Sequence, residues 1–142
     1  MEIPEVRRRV RGAIEAARAQ AAARRGRVDA AARDYETFLA ERATPIFRTF
    51  ADALVAEGHL FKVFTPAGSL RLASQKSQDD FIEIVLDTDG DPPQVLGRVS
   101  RGRGRRGVSS ERPIRRGTAV ADLTEEDVLA FLLEEIVPFV ER

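Results

Sequence analysis

The chain has 142 residues, no cysteine, and 23 basic against 23 acidic side chains, for a formal net charge of zero. That length suits one domain with a real core, and the missing cysteines exclude disulfides, thiolate nucleophiles and cysteine-ligated zinc. No stretch has the apolar length of a signal-peptide core or a membrane span, so the expectation is a cytoplasmic protein with no membrane partner.

The neutral total conceals an uneven distribution. Residues 98–116 carry a net +7 and residues 117–142 a net −6, while 1–58 and 59–97 stay near balance at +2 and −3. One cationic segment therefore borders an acidic C-terminal segment.

From Ile3 to Arg42 the chain is almost continuous helix former, chiefly Ala, Arg, Glu and Gln, with no proline after Pro4. A heptad frame places Ile14, Ala21, Val28 and Tyr35 at one seam position. Val10, Ala17, Ala31 and Phe38 fall at the other, with Arg24 as the exception. Unbroken, this helix is about 60 Å long, too long to hide on a domain of this size. Its alanine seam buries little area per turn, so a second helix is needed, and a homodimer through these eight residues is the expected source. The competing arrangement is a helical hairpin broken at Arg25-Gly26-Arg27. The heptad phase runs through Gly26 unshifted, which favours continuity, although one mid-helix glycine costs only about 1 kcal/mol. Arg7, Arg8, Arg9 and Arg11 form a basic turn at the unfavourable end of the helix dipole, where either solvent or an external anion can meet them.

Thr44-Pro45 resembles a helix start, a cap followed by proline. Ile46, Phe47, Phe50, Leu54 and Val55 follow with helical spacing, and Gly58 is placed to stop the helix. The expected division is a helical arm over 1–43 and an α+β domain over 44–142.

Four strands are predicted at 59–64, 69–74, 81–87 and 94–101, separated by turn residues such as Thr65-Pro66-Ala67-Gly68 and Asp89-Gly90. Short connections make neighbours antiparallel. Alternation puts Phe61, Val63, Leu70, Leu72, Ile82, Ile84, Leu86, Val95 and Val99 on one face. Lys62, Arg71, Glu83, Asp87 and Arg98 fall on the other, diluted by Leu60, Phe64, Phe81, Val85 and Leu96. One apolar and one mixed face imply helices on one side only, with cross-strand charge pairs or a further partner on the other. The fold class is therefore α+β: a long N-terminal helix, a short helix, an antiparallel sheet of four or five strands, and a C-terminal amphipathic helix. Thr124 caps that last helix, with Asp127 at its third position, and Val128, Phe131, Leu132, Ile136 and Phe139 form its buried stripe. Pro138 should bend or end it.

Three patterns bear on chemistry. Asp87, Asp89 and Asp91 have the alternate spacing of half a calcium loop, but Arg98 stands where the bidentate glutamate belongs and the glycine is misplaced, so a turn is the better reading. Gly102-Arg103-Gly104-Arg105-Arg106-Gly107 matches GxGxxG in letters only, because the next residues, Val108-Ser109-Ser110, resemble strand and not helix. Asp79, Asp80 and Glu83 could form a hydrolase metal site only if folding gathered them with a lysine. No cofactor is implied, and His59 has no nucleophile beside it.

The outstanding feature is Arg98, Arg101, Arg103, Arg105, Arg106, Arg112, Arg115 and Arg116. Interleaved glycines and guanidinium forks suit phosphate, and such a segment meeting nucleic acid would give a steep salt dependence. Aromatic residues for stacking on unpaired bases are absent from it. The alternatives are neutralisation by Glu125, Glu126, Asp127, Glu134 and Glu135, or contact with an acidic protein. The resulting expectation is a non-enzymatic, homo-oligomeric interaction protein, with a nucleic-acid-binding accessory protein as the alternative and a small metal-dependent hydrolase third.

Overall fold

The computed structural model describes residues 1–103 and 106–141, with only the backbone at Arg103 and Arg106. Helix α1 runs from Ile3 to Phe38 and passes Gly26 without interruption. A π-helical turn, Leu39–Ala43, leads directly into helix α2, Thr44–Ala56. Together they make one rod about 80 Å long.

The expected helix start at Thr44 is thus corrected. Thr44 has helical angles, φ −60° and ψ −46°, and makes no side-chain cap. Its N–H reaches back to the Leu39 carbonyl, one residue further than in an α-helix. Proline inside a helix lacks a donor and crowds the carbonyl four residues back. A single π turn absorbs both defects by changing the pairing locally. The helix ends where glycine requires it: Gly58 has φ +90°, and the N–H groups of Gly58 and His59 close on the carbonyls of Val55 and Leu54.

Five strands follow as an antiparallel meander, in spatial order β1 (Phe61–Phe64), β2 (Ser69–Ser74), β3 (Phe81–Asp87), β4 (Gln94–Arg103) and β5 (Arg106–Pro113). The β1–β2 turn differs slightly from expectation. The Ser69 N–H bonds to the Pro66 carbonyl, so the turn begins at Pro66 and Gly68, at φ +74°, takes its third position.

Helices cover one face of the sheet. Leu72, Ile82, Ile84, Phe38, Phe47, Val128 and Leu132 are fully buried between the layers. Val55, expected in this core, is exposed instead, because α2 turns that side to solvent. Tyr35 fastens α1 to the sheet by donating its hydroxyl to the Gly68 carbonyl (3.0 Å) and the Ile84 carbonyl (3.4 Å). Burial, and then the nearby Glu83 charge, push that hydroxyl well above its ordinary range, so it remains a donor.

A short 3-10 turn, Val120–Asp122, precedes helix α3, Glu125–Val140. All five residues of its expected stripe are buried, and the helix continues past Pro138 for two residues. Its start is a capping box: Thr124 Oγ1 accepts from the Asp127 N–H (3.1 Å), and Asp127 Oδ2 accepts from the Thr124 N–H (2.9 Å). Burial pushes the Asp127 carboxyl up. The Thr124 bonds and the Arg115 guanidinium outweigh it and hold the group below the usual carboxylate range.

A carboxyl held low by folding contributes stability above its unfolded pKa of about 4 and loses it as pH falls through the folded value. Asp127→Asn is therefore expected to cost about 1 kcal/mol at neutral pH. The deficit should shrink below about pH 4 and vanish in stronger acid. Thermal unfolding of both proteins across pH checks this, and a deficit constant down to about pH 2 would contradict it.

Candidate interaction surfaces

The arm emerges from the domain as a bare helix. Residues 6–27 are all exposed, and among the described residues no side chain before Arg24 forms a hydrogen bond or ion pair with the sheet domain. Its apolar stripe is open to solvent, with Ile3 70%, Val6 44%, Val10 52% and Ile14 46% exposed. Ala17 and Ala21 continue the stripe, also exposed, and Val28 is half-buried. Beyond that point the same stripe turns inward. Ala31 packs on the core, while Tyr35 and Phe38 lie inside it. The expected oligomer seam is thus divided: its distal half is free, and its proximal end is filled by the chain's own sheet.

The junction between halves is fixed by the β3–β4 loop. Arg27 forms a two-pronged bond with the Asp91 carboxylate (3.1 and 2.9 Å), and Arg24 donates to the Asp89 carbonyl (3.3 Å). Asp87 accepts from the Asp89 N–H (3.0 Å), a local turn contact. Asp89 and Asp91 thus brace the arm, and Asp87 shapes the turn that carries them. Asp79 and Asp80 precede β3, where the Asp80 carboxylate accepts from the Gly102 N–H (2.8 Å), whereas Glu83 lies across the sheet beside Arg71. Among the described residues, no group of three acidic or histidine side chains is arranged to hold a metal.

The open face of the sheet carries a cross-strand row that the alternation pattern anticipated only in part. Arg71, Glu83, Arg98 and Glu111 stand directly opposite one another on β2, β3, β4 and β5. Arg71 pairs with Glu83 (3.1 Å) and Arg98 with Glu111 (2.7 Å). The Arg71 guanidinium also lies 4.0 Å from the centre of the Phe81 ring. Glu83, although on this uncovered face, has a side chain only 8% exposed. A shallow depression of about 580 Å³ lies over the row, lined also by Ser100 and Ser109. Residue types alone did not predict the burial of Glu83, since it depends on which neighbours the register supplies.

The arginine hairpin is partly neutralised. Besides the Arg98 pair, Arg112 bridges Glu135 (2.6 Å) and Glu134 (2.8 Å) and sits 4.9 Å from the Phe131 ring, and Arg115 meets Asp127 (2.9 Å). Among the described residues, Arg101 and Arg116 form no ion pair. Arg105 lies outside the described residues, as do the side chains of Arg103 and Arg106. Of the GxGxxG letters, Gly102 and Arg103 end β4 and Arg106 and Gly107 begin β5, a strand and not a helix, while Gly104 and Arg105 lie outside the described residues. No described helix is long and apolar enough to cross a membrane. Comparisons with protein-family models, with curated proteins and with solved structures each find no match to this chain.

Proposed function

We propose that this chain is a non-enzymatic interaction protein that assembles with a second copy of itself through the N-terminal arm and presents its sheet domain, with the arginine hairpin, for contact. The single observation behind this reading is the solvent-exposed stripe Ile3, Val6, Val10 and Ile14 on a helix that projects from its own domain. Side chains of that size on a projecting helix are unfavourable in water, and a helix in isolation draws little stability from propensity alone. Each is already partly shielded, so burial against a partner gains about 1 kcal/mol per side chain. Over both copies the gain is about 8 kcal/mol, offset in part by the freedom lost on association, so weak self-association is expected, with Kd on the order of 10–100 µM. Phosphate contact through the hairpin has less to stand on, because Arg98, Arg112 and Arg115 already hold carboxylates.

Sedimentation across concentration tests the proposal. A dimer is expected to form by about 100 µM. Ile14→Glu should abolish it, since a carboxylate in the seam meets apolar neighbours. A wild-type monomer throughout that range would overturn the reading.

A further inference from the structure

We infer that the two arms pair antiparallel, an orientation that rests on the self-association proposed above. It follows from the shared identity of the free stripe and the buried one. The heptad positions that are open at Val10 and Ile14 are the positions that enter the domain's own core at Tyr35 and Phe38. The sheet domain therefore occupies the same side of the rod as the seam, only further along.

In a parallel pair the seam faces the dimer axis at every level. At the level of Tyr35 and Phe38 each copy's sheet domain would lie between the two helices. Two domains would require the same space, and the helices would have to splay apart before reaching it. Parallel alignment also stacks Arg7, Arg8, Arg9 and Arg11 of both copies at one level, like charge against like.

An antiparallel pair removes the first obstacle and eases the second: Arg7, Arg8 and Arg9 of the two copies move to different levels, and only the two Arg11 stay within about 3 Å of each other along the axis. Knobs-into-holes layers set Val10 of one copy against Ile14 of the other, and Ile3 against Ala21, large opposite small at the ends of the overlap. The partner's helix then begins level with residue 21, just short of Arg24, where the brace to the Asp89 carbonyl starts. The free part of the arm is thus as long as the overlap that antiparallel pairing needs. The two sheet domains lie at opposite ends of the paired rod, with their arginine hairpins held far apart.

The cysteine-free chain makes the test direct. Glu2→Cys and Ala22→Cys, each carrying a spin label, lie on exposed positions away from the seam. In the antiparallel dimer, two Glu2 labels are separated by about 30 Å at 1.5 Å per residue. An equimolar mixture of the two labelled proteins should give a second, short distance of about 10 Å, the spacing of adjacent helices. In a parallel dimer these outcomes are reversed, with a short distance for Glu2 alone and a long one in the mixture. That result, in a sample shown by sedimentation to be dimeric, would overturn the orientation and leave self-association standing. A sample that remains monomeric would overturn both.

Discussion

Phe131→Ala is expected to destabilise the folded chain by about 4 kcal/mol, the usual cost of removing a buried aromatic ring from a packed core. Phe131 is 1% exposed and stands over the middle of β4, where the residue beneath it is Gly97. A Cβ built on Gly97 would run into the Phe131 ring. Gly97→Ala should therefore cost about 2 kcal/mol through overpacking.

The two changes are coupled through one volume. With the ring gone, the same Gly97→Ala change fills part of the cavity and replaces a strand glycine. It should then turn stabilising by about 0.5 kcal/mol. Urea denaturation of the four proteins measures this reversal of sign. Equal effects of Gly97→Ala in both backgrounds would show that α3 does not press on β4 at this point. Arg112 adds to the cost of losing the ring, since its guanidinium lies against Phe131 on the way to Glu134 and Glu135.

Arg71→Ala should lower stability by about 3 kcal/mol, because it strands the Glu83 carboxylate at a site from which water is largely excluded. The cost lies in the partner left behind more than in the bond removed. Arg71 keeps a third of its side chain exposed, whereas Glu83 is nearly enclosed, and Phe81 loses the guanidinium above its ring. Replacing both charges together, as Arg71→Leu with Glu83→Leu, should leave stability within about 1 kcal/mol of the starting protein. Chemical denaturation distinguishes the two cases. If the single and double variants lose equal stability, the pair contributes by packing alone.

Much of the architecture was legible because it depends on short-range periodicity. The α3 stripe from Val128 to Phe139 and its Thr124–Asp127 cap follow from helical spacing and local donors within one turn. The apolar face of the sheet follows from the alternation in β1 to β4, where one residue of slip would have exposed Ile82 and Ile84. The Thr44-Pro45 reading failed for an equally local reason. A proline after a threonine looks like a start, yet the apolar positions Phe38, Ala43 and Phe47 are spaced five and then four apart. That extra residue is the trace of the π turn. Alanine at the middle position made the trace faint.

The candidate surfaces were less legible, because they depend on which segments meet. The counts of charge disclosed a cationic segment and an acidic one, but not that Arg112 would reach Glu134 and Glu135 while Arg101 would find no carboxylate among the described residues. They also gave no sign that Asp91, in a loop resembling half a calcium site, would clamp Arg27 of the arm.

The amino-acid order alone determined the long arm helix, four of the strands to within about two residues at their ends, and the faces they turn inward, since each is set by spacing along a few neighbouring residues. Only the tertiary structure decided where the rod's apolar stripe stops serving its own core and becomes free. One heptad pattern runs through both halves, interrupted only at Arg24. The division comes from how far the sheet extends along the helix, a distance that no local spacing encodes.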